Sequence, residues 1–244
     1  MGVLSWETSL PGISSRRAAG GLLLVGLFLV AAGCAGAPKA KAPPGEPKAV
    51  EDLRTPAALV KSGNLNFSLR RYEQAVSDFT KAIERGGGDA LAYNTRGRVY
   101  FEMGRYEDAL ADVNRAIELA PRSDAAWNTR GYIRYTLRRY EEALLDLDRA
   151  LEINPRHEGA LNHRGLVHTA LERYDRALAD FDGALDVDPD YREVYANKAE
   201  AYERKGSKRE AVEAYREFLR RATSPGEARR AERARERIRI LTAE

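Results

Sequence analysis

The sequence repeats itself five times with a constant period of 34 residues, and no residue is inserted or deleted between Pro56 and Pro225. When the copies are aligned, fixed places keep a small residue, an alanine or an aromatic residue. The eighth place reads Gly63, Gly97, Gly131, Gly165 and Ala199. A fixed period of this length is typical of a solenoid, in which each unit buries its apolar face only against its neighbours. The repeat therefore predicts an array without a single central core.

The repeat register divides this region into five units. Their ranges are 56–89, 90–123, 124–157, 158–191 and 192–225. In the second unit apolar and small residues recur twice at helical spacing, with Gly104 between the two stretches and Pro121 after the second. Glycine takes the positive φ that ends a helix, and proline cannot continue one. Each unit is therefore predicted to be two helices joined by a turn.

The aligned columns resemble the tetratricopeptide repeat (TPR), whose pattern contains an aromatic residue, glycine, tyrosine, two alanines and a final proline. In the third unit the match consists of Trp127, Gly131, Tyr140, Ala143, Leu147, Ala150 and Pro155. The first and fifth units depart from the pattern, as terminal repeats commonly do. The resemblance implies an all-α fold: a right-handed TPR solenoid of five helix-turn-helix repeats plus a C-terminal capping helix at 226–244.

The C-terminal segment combines helical spacing of apolar residues with high charge. Its apolar residues are Ala228, Ala231, Ala234, Ile238 and Leu241. Residues 227–244 contain six arginines and four glutamates, which leaves two interpretations open. The interleaved signs favour a solvated capping helix, and the alternative is a basic contact for anionic lipid or protein.

The N-terminal part of the chain has the composition of an export signal followed by a tether. Arg16 and Arg17 precede an apolar run of 12 residues, 21–32, which is shorter than the roughly 20 residues that cross a bilayer as a helix. Residues 1–33 are therefore predicted to be a signal peptide, with the secretory and twin-arginine routes both open. Residues 34–55 are rich in proline, alanine and lysine and predict a linker without packed structure.

The end of the apolar run, Val30–Cys34, resembles the lipobox of bacterial lipoproteins, in which the chain is cut before a cysteine that receives lipid such as palmitate. Cys34 is the only cysteine in the chain. The resemblance implies that acylated Cys34 attaches the protein to a lipid bilayer, with the TPR domain outside the cytoplasm. Ala35 rather than aspartate follows it, which in enterobacterial lipoproteins favours the outer membrane over the inner one. The alternatives are an ordinary signal peptide or an uncleaved anchor.

The TPR resemblance also implies a concave groove, lined by the first helix of each unit, in which a protein or peptide partner binds. The residues expected there are Asn94, Arg98, Phe101, Asn128, Tyr132, Tyr135 and Asn162. Three asparagines in register offer paired donors and acceptors to a peptide backbone. The alternative is that some of these asparagines bond only to neighbouring helices.

Two further columns carry opposite charges. The basic column consists of Arg96, Arg130, Arg164 and Lys198 on first helices. The acidic column consists of Asp78, Asp112, Asp146 and Asp180 on second helices. Because repeated charges in an array usually satisfy its own interfaces, these columns predict structural ion pairs within or between hairpins.

The sequence contains no nucleophile and base set, no phosphate-binding glycine loop and no metal cluster that would indicate catalysis. His163 and His168 are five residues apart, which places them on different sides of a helix. The net charge of +3 gives no strong indication of nucleic-acid binding. We therefore expect no enzyme activity, no cofactor and no nucleic-acid partner.

These features together predict a membrane-anchored TPR lipoprotein that acts as a protein–protein interaction scaffold or assembly adaptor in the bacterial cell envelope. The alternative is a self-associating structural array without a peptide ligand. The sequence leaves the identity of the partner and the oligomeric state open.

Overall fold

The computed structural model describes residues 55–222 and 225–243. All of them belong to the second of two compact units into which the chain divides, Pro44–Glu244. The signal peptide, acylated Cys34 and nearly all of the linker lie outside the described residues and stay predictions. Within the described ranges, no helix is both long enough and apolar enough to cross a membrane.

Eleven α-helices make up the regular structure of the described residues. They are α1 (Pro56–Ser68), α2 (Tyr72–Ala82), α3 (Ala90–Glu102), α4 (Tyr106–Leu119), α5 (Asp124–Thr136), α6 (Tyr140–Ile153), α7 (Glu158–Ala170), α8 (Tyr174–Val187), α9 (Arg192–Lys205), α10 (Lys208–Arg221) and α11 (Ala228–Thr242). The first ten form five pairs, each pair packs on the next, and α11 packs on α10. The predicted all-α array of stacked helix pairs is confirmed.

The turn that follows the first helix of each pair contains a residue with left-handed backbone. The five residues are Arg70, Gly104, Arg138, Glu172 and Gly206. Gly104 has φ of 74°, as its place in the sequence predicts. Three of the five carry side chains, each of which raises the free energy of its turn by roughly 1 kcal/mol. The turn geometry is therefore imposed by the packing of the pair and does not depend on glycine.

Glycine at the eighth place lets the two helices of a pair approach closely. A Cβ atom at Gly97 would lie 2.7 Å from Val113 Cγ2 and 3.1 Å from the carbonyl oxygen of Ala109. At Gly165 the added atom would lie 2.5 Å from the ring of Phe181. Because carbon atoms do not pack at such distances, a larger residue at this place would push the helices apart.

Arginines at the seventh place join three helices at a time. Arg96 donates from Nε and Nη2 to the two carboxylate oxygens of Asp112, at 2.7 and 2.8 Å, on the second helix of its own pair. Its Nη1 donates to Thr80 Oγ1 at 2.8 Å, on the second helix of the preceding pair. Arg130 and Arg164 repeat this geometry one and two units later. The predicted ion pairs are therefore confirmed for these three arginines, and each also ties its hairpin to the one before.

Both ends of the charged columns depart from this pattern. In the first pair Asp78 accepts hydrogen bonds from Ser62 and Asn66, at 2.7 and 2.8 Å, because serine occupies the seventh place there. In the fifth pair Lys198 bonds to Asp182 of the preceding pair, since its own second helix lacks the aspartate. The terminal units thus keep the contacts but change the residues that make them.

The two ends of the array are covered differently. Leu65 in α1 is 60% exposed, whereas Val99, at the same place in the next unit, is fully buried by the preceding pair. At the other end α11 buries Ala231 and Ala234 against α10. All of the described apolar clusters lie within Pro44–Glu244, so this unit has the contacts it needs to fold by itself.

Replacement of Arg96 by alanine should destabilise the array more than the same change at Arg130. Within the described residues Asp112 pairs only with Arg96, so Arg96→Ala leaves a buried carboxylate unpaired, which typically costs about 3 to 5 kcal/mol. Asp146, in contrast, keeps Arg134, whose Nη1 lies 2.7 Å from its Oδ2. Urea denaturation of the two variants measures the difference in unfolding free energy. Equal losses would contradict this account.

Candidate functional site

The first helices of the pairs lie side by side and form one face of the array. In addition to its own partner, α1 contacts α3, α3 contacts α5, α5 contacts α7, and α7 contacts α9. A cavity of about 760 Å³, called the groove below, opens on this face. Its wall includes five of the seven predicted partner-binding residues: Asn94, Arg98, Phe101, Asn128 and Tyr132.

The other two predicted residues lie behind or beside the wall of the groove. Tyr135 packs against Tyr132, with ring centroids 6.2 Å apart and 20° between the ring planes. Asn162 is 2% exposed, and its Oδ1 accepts a hydrogen bond of 2.8 Å from Asn197 Nδ2. Asn162 therefore follows the alternative that the sequence left open, a bond to the neighbouring helix.

Three rings form a continuous aromatic shelf, which consists of Phe101, Tyr132 and His163. The centroids of Phe101 and Tyr132 are 5.1 Å apart with the rings at 53°, and those of Tyr132 and His163 are 4.1 Å apart at 15°. Burial raises the pKa of the Tyr132 hydroxyl, which keeps it protonated at neutral pH. The shelf therefore offers an uncharged surface that suits an apolar or aromatic side chain.

His163 is held in place by an asparagine from the preceding unit. Its Nδ1 lies 2.7 Å from Asn128 Oδ1, an oxygen that can only accept, so the ring donates from a protonated Nδ1. Burial, with a smaller contribution from His157, lowers the pKa of His163 to about 3, and the ring is neutral at physiological pH. In residues 55–222 and 225–243 no group of three or more His, Cys, Asp or Glu residues could hold a metal ion.

An asparagine at the fifth place bonds to the residue 35 positions later in the chain, at the sixth place of the next unit. Asn128 and Asn162 both follow this rule, as described above. For Asn94 the residue at that offset is Thr129, whose hydroxyl donates to the Ala125 carbonyl oxygen at 2.8 Å instead. Asn94 is 5% exposed, and its Oδ1 has no hydrogen-bond partner among the described residues. A buried acceptor without a donor costs about 1 to 3 kcal/mol, which a donor from a ligand would offset.

Charged side chains occupy both ends of the groove. At the end formed by the first two units, Arg70 and Arg98 line the wall and form no ion pair within the described part of the chain. Arg98 lies over the ring of Phe67, 5.5 Å from its centroid. At the opposite end Glu193 in α9 pairs with Arg230 in α11 at 2.7 Å. The wall also contains the carboxylates of Glu102 and Glu158.

Several residues of the groove were not predicted. Thr129 and His163 occupy the sixth place, and the signal that could have found them is the 35-residue offset to the fifth place. Arg230 is 37 residues from its partner Glu193 and belongs to α11, which lies outside the repeat period. No column of the alignment therefore points to it.

The variant His163→Asn should reduce the loss of stability in acid. The folded pKa of about 3 lies below the ordinary value, so the unfolded chain binds the proton first. The contribution of the neutral His163 ring to the free energy of unfolding is fully present above roughly pH 7.5 and falls by about 2 kcal/mol between roughly pH 7.5 and 5. Asparagine at this place keeps a bond to Asn128, as Asn197 does to Asn162. Urea titrations across this pH range compare the two proteins, and parallel profiles would contradict the expectation.

Comparison with known families identifies the repeat. Family models of the tetratricopeptide repeat match residues 54–122, 94–158 and 163–228, well over half of the chain. A comparison with curated protein sequences gives no match. The fold is similar to that of 385 chains in solved structures. Because so many proteins share it, this similarity identifies the architecture of the chain but not its binding partner.

Three of these solved structures illustrate the likeness. TTC0263, a thermophilic TPR protein from Thermus thermophilus, is 24% identical with a TM-score of 0.66, and the match covers 78% of this chain and 100% of that one. YrrB, a TPR protein with an unusual peptide-binding site, is 24% identical with a TM-score of 0.52 and coverages of 76% and 96%. MamA is 21% identical with a TM-score of 0.55 and coverages of 69% and 92%. The repeated columns, the stacked helix pairs and the family models agree that this chain belongs to the tetratricopeptide repeat family.

Proposed function

We propose that this protein is a lipid-anchored adaptor of the bacterial cell envelope that holds an extended segment of a protein partner in its groove. The basis is that the chain is a TPR protein–protein interaction scaffold, of a family that is typically non-catalytic. YrrB, which has the same fold, has a peptide-binding site, so a solenoid of this kind does accept a peptide.

The unpaired Oδ1 of Asn94 is the observation that carries the peptide-binding part of the proposal. The equivalent asparagines of the next two units, Asn128 and Asn162, each accept a hydrogen bond from the first helix of the unit after their own. Asn94 has no such bond and is an exception within a regular array. The backbone N–H of an extended peptide is the donor that its Oδ1 lacks. Phe101 and Tyr132 lie on the same wall and supply apolar surface for the side chain next to that N–H.

The charges beside Asn94 favour a partner segment that carries a carboxylate. Arg98 lies one helical turn further along α3, and Arg70 lines the same end of the groove. Guanidinium groups bind carboxylates through charge-assisted, bidentate hydrogen bonds. The partner segment is therefore expected to place an acidic residue close to a large apolar one.

Sequence alone supports the membrane anchor. Cys34 follows the only signal-like segment, and diacylation or triacylation would hold the protein firmly where a single acyl chain would not. The composition of residues 35–55 predicts an extended linker, which at about 3.1 Å per residue would let the array reach up to roughly 60 Å from the bilayer. An anchor with this reach suits a protein that captures partners within the envelope.

One observation favours the alternative, a self-associating array. Leu65 and Leu69 are 60% and 50% exposed at the end of the array that no preceding repeat covers. A second copy that met this face would bury both side chains. Light scattering on residues 44–244 distinguishes the two functions, because a monodisperse monomer excludes self-association.

The variant Thr129→Asn should weaken partner binding and stabilise the free protein slightly. An amide at this place completes the series of bonds that His163 and Asn197 make in the next two units, so Asn94 gains the partner that it lacks. We expect the yield of crosslinked partner from envelopes, measured by mass spectrometry, to fall at least about tenfold, the effect of roughly 1.4 kcal/mol.

Thr136→Asn is the matched control for this experiment. Thr136 lies on the same helix as Thr129 and also bonds to a carbonyl of its own helix, but it is exposed and does not line the groove. The control should retain the partner at the level of the unchanged protein. An equal partner yield from Thr129→Asn and the unchanged protein would refute the role of Asn94.

The variant Cys34→Ser should abolish fatty-acid labelling of the protein and, where the signal peptide is still removed, release it from the membrane fraction in high salt, which screens ionic contacts. Serine cannot form the thioether of a lipoprotein, and the chain then loses the acyl groups that the proposal requires. Metabolic labelling with an alkyne fatty acid followed by envelope fractionation measures both properties. Retention of Cys34→Ser in the membrane, with no label on the unchanged protein, would indicate an uncleaved anchor instead.

A further inference from the structure

Positive charge is concentrated at the C-terminal end of the array. Residues 55–203 contain 21 Lys and Arg against 26 Asp and Glu, whereas residues 204–244 contain 13 against seven. The small net charge of the whole chain therefore hides two segments of opposite sign. A basic surface confined to one end of a protein is an electrostatic feature that its fold does not require.

The basic residues of α10 line a second groove, which is separate from the partner-binding groove. This basic groove has a volume of about 590 Å³ and lies between α10 and the end of α11. Its cations are Lys208, Arg209, Arg216 and Arg220, and its only lining anion is Glu213. Arg209, Glu213, Arg216 and Arg220 follow one another at spacings of four, three and four residues, so they lie in one stripe along α10.

Two cations of the basic groove are not neutralised by the protein. Arg209 and Arg216 are exposed and form no ion pair within residues 55–222 and 225–243. Arg220, in contrast, pairs with Glu217 on its own helix. Arg96, Arg130 and Arg164 each bind an aspartate inside the array, whereas the exposed guanidinium groups of Arg209 and Arg216 contribute no such packing contact.

Apolar side chains lie among these cations. Leu241 lines the basic groove and is partly exposed, and its neighbour Ile240, outside the lining, is 39% exposed. Val212 also lines the groove but is buried. A surface that combines lysine and arginine with aliphatic residues is typical of helices that lie on an anionic bilayer. A nucleic-acid surface commonly adds exposed aromatic rings for stacking, but the two aromatic residues of α10, Tyr215 and Phe218, are both buried.

We propose that the basic groove is a docking surface for a bilayer that contains anionic phospholipids. The lipid phosphates meet Arg209 and Arg216, and the aliphatic residues meet the boundary between head groups and acyl chains. This contact is independent of Cys34 and of the partner-binding groove. It adds a second, reversible membrane signal at the opposite end of the chain from the acyl anchor, and two such signals together bind far more stably than one.

Vesicle flotation tests the proposal with residues 44–244, the compact unit that lacks Cys34. The unchanged unit should bind vesicles of phosphatidylcholine mixed with phosphatidylglycerol but not vesicles of phosphatidylcholine alone, and added salt should weaken the binding. Changing Arg209 and Arg216 together to glutamine should reduce the affinity at least about tenfold. Circular dichroism checks that both proteins are equally helical.

The matched control replaces Arg115 and Arg149 by glutamine, which removes the same charge from exposed arginines on α4 and α6. This control should bind within about twofold of the unchanged unit, because its arginines lie outside the basic groove. Equal binding by all three proteins, or no preference for anionic vesicles, would overturn the proposal. Duplex DNA that binds more tightly than the vesicles, through the same two arginines, would overturn it in favour of a nucleic-acid site.

Discussion

A helix pair of 34 residues cannot bury its apolar face alone, so the protein depends on the contact between each pair and the next. Arg96, Arg130 and Arg164 make this contact specific, because each binds an aspartate in its own pair and a polar residue in the preceding pair. Buried charges tolerate little displacement from their partners. The same three groups therefore fix both the geometry of a hairpin and the register between hairpins.

The register between successive hairpins explains why one position of a regular array, Asn94, differs from its equivalents. It places the fifth residue of one unit against the sixth residue of the next, and the asparagines at 128 and 162 use this proximity to bond across the interface. Thr129 does not complete the bond for Asn94 and leaves a buried acceptor on the wall of the groove. A single change in a repeated column thus separates an asparagine that bonds across the interface from one whose Oδ1 has no partner among the described residues.

The charges of the protein serve different purposes in different places. Along the repeats, Arg96, Arg130 and Arg164 are paired with aspartates and contribute to packing. Arg70 and Arg98 in the first two units, and Arg209 and Arg216 on α10, form no ion pair among the described residues. Arg70 and Arg98 belong to the proposed site for a peptide, and Arg209 and Arg216 to the proposed site for a membrane surface. An adaptor tethered through Cys34 would use both sites within one envelope.

The sequence by itself determined what repeats at a constant offset: the helix pairs, the close approach at Gly97, the ion pairs and five residues of the wall of the groove. These features were predictable because each follows from spacing along one helix or within one hairpin. Tertiary structure decided that Asn162 bonds to a neighbouring helix, that His163 stacks on Tyr132, and that Arg230 reaches the groove from α11. Those contacts depend on how successive pairs and the capping helix are placed in space, which no single column of the alignment encodes.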